Sequence, residues 1–156
     1  MLQIRIAVLK GRDADEQPVT RDGPPKGIRR ALHRRLVQPE CYQRGELYAS
    51  TGSLRVNDAT PAVGRAAITG VAQGFMTAFP DICVIMDDLL TRDGRVEYHW
   101  TLTGTNTGPG GTGHSVRISG VEEWTIGADG LIAASLGHFD ASEYQRQLER
   151  GIDAPK

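Results

Sequence analysis

The chain has 156 residues and a formal net charge of −1, with 18 Lys and Arg against 19 Asp and Glu. A length of this order predicts one domain with a single core, burying about 68–70% of the unfolded surface. The charge balance leaves no electrostatic case for nucleic acid or an anionic membrane surface as a partner, and no run of about 18 apolar residues predicts a transmembrane helix. Cys41 and Cys83 sit in no CxxC or Cys/His spacing, so ordinary thiols are expected rather than a disulfide or a metal site. Met1 to Lys10 lacks the apolar stretch and cleavage site of a signal peptide, and a cytoplasmic location is expected.

In chain order, Leu2, Ile4, Ile6 and Val8 alternate with Gln3, Arg5 and Ala7, which predicts a short strand. Gly11 to Gly27, rich in Asp, Pro and Gly, predicts a long loop, so residues 1–27 read as an N-terminal strand and loop extension. Such a strand can pair with its own sheet edge or with a neighbour's, and the sequence does not choose. Residues 28–150 read as the single domain and residues 151–156 as a tail.

Ile28, Leu32 and Leu36 predict a helix over Ile28–Val37, whose Arg29, Arg30, Arg34 and Arg35 read, with Lys26, as a solvated basic face; Pro39 stops it. A short helical stretch follows over Glu40–Tyr48, then a short strand at Leu54 and Val56, then a turn from Asn57 to Pro61. Ile68, Val71, Phe75 and Phe79 form one apolar stripe of a helix over Gly64–Phe79, ended by Pro80. A strand over Ile82–Leu90 leads to an Asp93-Gly94 turn. On the next strand Val96, Tyr98, Trp100 and Leu102 share one face, and Glu97, His99, Thr101 and Thr103 the other. After the glycine-rich link Gly108–Gly113 come strands over Ser115–Ile126 and Leu131–Phe139, joined by Asp129-Gly130, and a closing helix over Ala141–Arg150.

Strands joined by tight turns demand antiparallel pairing, and segregated helices make the class α+β. The expected architecture is a cone-shaped α+β barrel: a curved antiparallel sheet wrapped on the Gly64–Phe79 helix, with Gly104 and Gly120 as candidate bending points. Glu122 lies in the apolar phase of its strand with Ile118, Gly120, Trp124 and Ile126. A carboxyl group there is costly unless paired or used, and apolar surroundings suit a general acid or base. A register slip of one residue would instead send Glu122 to water and bring Glu123 inward.

Several segments in this order carry a family resemblance: Gly64-Arg65-Ala66-Ala67-Ile68, Ala78-Phe79-Pro80-Asp81-Ile82, Thr103-Gly104-Thr105-Asn106-Thr107-Gly108, Gly120-Val121-Glu122-Glu123-Trp124, Asp129-Gly130-Leu131-Ile132, and Phe139-Asp140 with Gln147-Leu148. From Ile28 to Leu148 the chain resembles the SnoaL-like polyketide cyclases of the nuclear transport factor 2-like superfamily, which also holds limonene epoxide hydrolases and ketosteroid isomerases. The resemblance implies a homodimer with a deep apolar pocket, no metal and no organic cofactor. The fold alone fixes no function, because it carries enzymes, carriers and protein-binding modules. The family's last-strand acid/base Asp, read back from Phe139-Asp140, falls on Gly137, and the Trp before it on Leu136. The family's His on the preceding strand falls on Glu122, and its Thr-His-Thr-Gly has become Thr105-Asn106-Thr107-Gly108. Asn57 occupies a place like that of the water-holding Asn of the epoxide hydrolases, whose charged pair has no counterpart on the Tyr98–Leu102 face.

The expected catalytic residues are therefore Glu122, with Asn57 and Tyr98 orienting oxygens or a water, and the expected ligand-binding residues are Trp100, Phe75, Phe79, Ser135 and Phe139. Each also has a structural reading: aromatic core, or a turn or strand hydrogen bond for Asn57 and Ser135. Asp140-Ala141-Ser142-Glu143 reads as a capping box rather than as a catalytic acid. His33, His99, His114 and His138 show no pairing pattern, and no GxSxG elbow occurs. The sequence supports an enzyme of cyclase, isomerase or hydrolase type acting on a small apolar oxygenated molecule. A carrier for such a molecule is the alternative, because half of the family's catalytic pair is replaced. An interaction module using the Thr101, Thr103, Thr105 face is a third reading, better suited to a dimer contact.

Overall fold

A computed structural model describes residues 44–92 and 94–153. The strand expected at Leu2–Val8, the loop to Gly27, the helix over Ile28–Val37, His33 and Cys41 lie outside them. A 3-10 turn, Arg44–Leu47, runs directly into strand β1 (Tyr48–Val56). The helical spacing expected up to Tyr48 therefore stops short: Tyr48 is already strand and only 2% exposed. Strand β1 is also longer than Leu54 and Val56 suggest. Its Ser50, Thr51, Gly52 and Ser53 carry no apolar alternation, and its pairing with the last strand is irregular between Tyr48 and Ser53.

After a two-residue strand β2 (Ala62–Val63), helix α1 spans Arg65–Ala78. Gly64 precedes it at φ 84°, a left-handed conformation that glycine adopts without penalty. The helix ends where the Phe79 N–H bonds back to the Phe75 carbonyl and Pro80 removes the next donor. Strands β3 (Cys83–Arg92), β4 (Arg95–Thr105), β5 (Ser115–Ile126) and β6 (Ile132–Phe139) follow, then helix α2 (Ala141–Arg150).

The six strands form one curved, open sheet in the order β2-β1-β6-β5-β4-β3. Strands β3 to β6 pair antiparallel with their chain neighbours, as short connections require. Strand β1 runs parallel to β6, which makes the sheet mixed. That pairing joins the first and last described strands of the sheet across everything between them, and parallel neighbours need such a long crossover. Register irregularities between Met86 and Asp88 and between Thr125 and Ile126 mark places where the strands bend. At Gly104 and Gly120, the expected bending points, neighbours press against bare backbone. A Cβ at Gly104 would stand 3.1 Å from the Phe79 Cβ, and one at Gly120 would stand 2.5 Å from Cζ2 of Trp100.

The core lies between α1 and the inner face of the sheet. Ile68, Met76 and Phe79 of α1 and its cap meet Val96, Tyr98, Trp100 and Leu102 of β4 in one apolar cluster. Helix α2 docks on β5 through Gln147, which is 5% exposed. Its amide accepts from the Arg117 N–H at 2.6 Å and donates to the Arg117 carbonyl at 3.1 Å, as a neighbouring strand would. Among the described residues no helix is long and apolar enough to cross a membrane.

Candidate functional site

A cavity lies on the inner face of the sheet beneath α1. Ile68, Val71, Ala72 and Phe75 line it from the helix, and Leu54 and Val56 from β1. Trp100, Leu102, Ile118 and Glu122 line it from β4 and β5, with Gly137 and Phe139 from β6 and Tyr144 from α2. Taken as the space open to water-molecule centres, its volume is about 70 Å³. That is several times the roughly 10–15 Å³ that one water needs. The apolar helical stripe and the period-2 phase of the strands converge here because each buries its apolar face against the other.

Glu122 is the carboxyl group in this wall and is 4% exposed. It stands directly opposite Tyr98 on β4 and Gly137 on β6. The Trp124 indole Nε1 and the Ser135 hydroxyl each donate to its Oε2 at 3.0 Å. Ser135 is 1% exposed and faces Trp124 across the β5–β6 pair. A buried carboxyl held by two donors is oriented without cost to either donor, each of which would otherwise lose a bond in the interior. Glu123, one residue on, points to the other face of the sheet, where its carboxylate meets Arg95 at 3.2 Å. The phase that takes Glu122 inward is the one that carries Ile118 and Trp124 into the core.

The other expected site residues divide. Trp100, Phe75 and Phe139 line the cavity, whereas Asn57, Tyr98, Ser135 and Phe79 do not. Asn57 uses its side-chain oxygen to accept the Phe139 N–H at 3.0 Å, and its own N–H donates to the Gly137 carbonyl at 2.7 Å. It therefore latches the end of β1 to β6. Tyr98 is 4% exposed and stacks on Trp124, with ring centroids 5.0 Å apart and planes at 17°. Ser135 sits behind Glu122 as its hydrogen-bond donor. Phe79 is fully buried against Gly104, with the Tyr144 ring 6.4 Å away. These four support the wall through contacts within the protein.

Trp124 and Tyr144 were not among the expected site residues. The flanking apolar phase around Glu122 contains Trp124, and an indole N–H two positions along the same face was the available signal. Tyr144 reaches the cavity from α2 and meets Phe139 edge-on at 5.5 Å. Burial raises its phenol above the ordinary value. No local pattern in the sequence connects that helix to the cavity.

Asp140 caps α2, accepting from the Glu143 N–H at 2.9 Å and from the Ser142 hydroxyl at 2.6 Å. The Glu143 carboxylate receives Arg146 and Gln147. His99 and His138 lie on the outer side near Glu97 and Glu123. The His114 ring Nδ1 is 2.9 Å from the Leu148 carbonyl. Among the described residues no cluster of His, Cys, Asp or Glu side chains is arranged to hold a metal ion.

A curved mixed sheet wrapped on one helix, with a carboxyl group in an apolar wall, is an α+β architecture shared with known proteins. The model of the SnoaL-like polyketide cyclases matches residues 38–148, and the chain belongs to that family. A candidate SnoaL-like polyketide cyclase from Jannaschia sp. CCS1 superposes with a TM-score of 0.61 at 18% identity, covering 70% of this chain and 78% of that one. A phenazine biosynthesis-related protein from Pseudomonas aeruginosa gives a TM-score of 0.60 at 16% identity, over 73% of this chain and 78% of the other. AclR, a candidate hydroxylase from Streptomyces galilaeus, gives 0.57 at 23% identity over 71% of each chain. At these identities the likeness is one of fold, the nuclear transport factor 2-like fold that further solved structures share. No curated protein matches the chain significantly.

Proposed function

We propose that this chain is a small-molecule enzyme of the cyclase, isomerase or hydrolase type. It acts on an apolar oxygenated substrate by general acid/base proton transfer at Glu122. One observation carries this reading: a carboxyl group 4% exposed in the wall of an otherwise apolar cavity, with Oε2 fixed by Trp124 and Ser135. Family membership supports a small-molecule enzyme or binder.

Each residue has a role in this reading. Glu122 takes a proton from the bound molecule and returns it elsewhere on the same molecule. Trp124 and Ser135 hold the carboxyl plane, so no reorganisation is needed at the moment of transfer. Tyr98, stacked on Trp124, backs that indole, and Asn57 positions Phe139 through its backbone. Phe75, Trp100 and Phe139 exclude water and shape the substrate's seat. The domain is taken as residues 28–150, preceded by the extension over residues 1–27. It is proposed to work as a homodimer, in which case sedimentation equilibrium returns twice the chain mass; a single chain mass at micromolar concentration would refute that state.

Gly137 favours a second reading, a carrier that binds such a molecule without turnover. The family's acid on the last strand is replaced there by a residue with no side chain. One experiment separates the two. The protein is incubated with a panel of hydroxylated aromatic, terpenoid and steroid compounds, its melting temperature is recorded, and the compounds are analysed by mass spectrometry. A new product whose rate of formation falls by about 10²–10⁴-fold in Glu122→Gln supports the enzyme. A compound that raises the melting temperature and returns unchanged supports the carrier. Turnover that survives Glu122→Gln intact overturns the role of Glu122.

A further inference from the structure

Four glycines stand in the described strands, and three of them are held by crowding. A Cβ would meet a neighbouring atom at 2.8 Å at Gly52, at 3.1 Å at Gly104 and at 2.5 Å at Gly120. Gly137 is different. A Cβ there would stand 3.6 Å from the Arg55 carbonyl oxygen and from Cγ of Glu122, and 3.8 Å from Cγ2 of Val56, which is ordinary van der Waals contact. Its φ lies outside the left-handed region that Gly64, Gly94 and Gly130 occupy. Neither packing nor backbone conformation calls for glycine at this position, and a glycine inside a strand weakens it. Gly137 is nonetheless buried, and it lines the cavity.

We infer that Gly137 sets the shape of the ligand: its missing side chain leaves a notch in the cavity wall that takes an apolar branch of the bound molecule, about the size of a methyl group. The inference rests on the cavity being a ligand site, as proposed above, and holds for turnover and for carriage alike. The direction of the notch follows from the register. Gly137 stands directly opposite Glu122 on β5 and beside Val56 on β1. Directly opposite residues turn their side chains to the same face, and Glu122 and Val56 both line the cavity. The missing Cβ therefore projects inward between them. Without it, a ligand carbon settles against the Gly137 Cα at about 3.5–4.0 Å, the usual carbon–carbon contact. A β-methyl would claim that space. The neighbours of the notch are a Glu122 methylene, a Val56 methyl and one carbonyl oxygen. Water needs two to four polar partners, so the notch selects an apolar group. Cγ of Glu122 is one bond from the carboxyl carbon. The ligand is then an apolar molecule that branches, or turns a ring corner, at or next to the atom that meets Glu122.

The test uses 1-tetralone and its 2-methyl and 4-methyl derivatives. Affinities are measured for the wild-type protein and for Gly137→Ala. The better-bound methyl derivative is expected to lose about tenfold in affinity relative to tetralone in the variant, with tetralone binding changed only a few-fold. Without ligand, Gly137→Ala should melt at or above the wild-type temperature, because the added methyl meets no crowding and restricts the unfolded chain. A parallel measurement needs no substitution. In wild-type protein labelled with carbon-13 at glycine, the methyl protons of that derivative give a nuclear Overhauser effect to the Gly137 Hα protons. An unchanged affinity ratio, or the lack of that effect, overturns the inference while leaving the cavity a ligand site. A variant that melts well below wild type without ligand assigns the glycine to the fold and overturns the inference too. Failure of all three ketones to bind wild-type protein overturns the ligand-site reading and the inference with it.

Discussion

Glu122 has two jobs that a pair of substitutions separates. Glu122→Gln keeps an oxygen that can accept from Trp124 and Ser135, so its stability should stay within about 1 kcal/mol of wild type. Glu122→Ala strips both donors of their buried acceptor and opens a hole, which should cost on the order of 2–4 kcal/mol. Urea denaturation of both variants checks this. Equal losses would mean that the two hydrogen bonds contribute little and that only volume matters. Glu122 was legible as a residue because a charge in the apolar phase of a strand stands out. Its partners were not legible with it. Ser135 belongs to a different strand, and only the β5–β6 register sets it opposite Trp124 and within reach of Oε2.

Helix α2 is the element whose stability depends most visibly on pH. The Ser142 hydroxyl and the Glu143 N–H hold the Asp140 carboxyl below its ordinary value of 3.8. A carboxyl group depressed in the folded state contributes stability that is present above the unfolded value. That contribution is lost as pH falls through the folded value. Asp140→Asn retains a good cap near neutrality. The difference in urea midpoint between wild type and variant should therefore shrink as pH is lowered from about 5 towards 2. A difference that stays constant across that range would show that the carboxylate charge is irrelevant to the cap. At the other end of the same helix, Gln147 bonds both backbone groups of Arg117 and also donates to Glu143 at 2.8 Å. Gln147→Ala should cost about 1–3 kcal/mol by leaving those backbone groups buried and unmet. It should also weaken ligand binding, because Tyr144 lies one turn away on the helix that Gln147 anchors. Unaltered ligand affinity in a destabilised Gln147→Ala protein would separate α2 docking from the cavity.

At the scale of the whole molecule, a cavity roofed by α1 and walled by β1, β3 (through Val84), β4, β5 and β6, with Tyr144 from α2, gains stability from any occupant that binds the folded chain alone. At one hundred times Kd the gain is about 2.7 kcal/mol, enough to move a melting temperature by several degrees. A compound from the panel that binds in this cavity should give that shift in wild type and a smaller one in Gly120→Ala. The added methyl group there forces the Trp100 ring from its seat. Equal shifts in the two proteins would place the compound elsewhere.

The alternation from Val96 to Leu102, the stripe from Ile68 to Phe79 and the turns at Gly94 and Gly130 belong to the sequence alone, because each depends on neighbours within a few residues. From them came the helix and the four consecutive strands; the phase of Ile118 to Ile126 turned Glu122 inward, and the family resemblance rested on the ordered motif segments. The parallel seating of β1 on β6, the entry of Tyr144 into the wall and the retreat of Phe79 behind it depended on the tertiary structure. So did the division of the two tryptophans, one N–H engaged by Glu122 and the other buried without a protein partner among the described residues. Those outcomes turn on which distant side chain first fills a given space, and close packing decides that among residues with no short-range pattern in common.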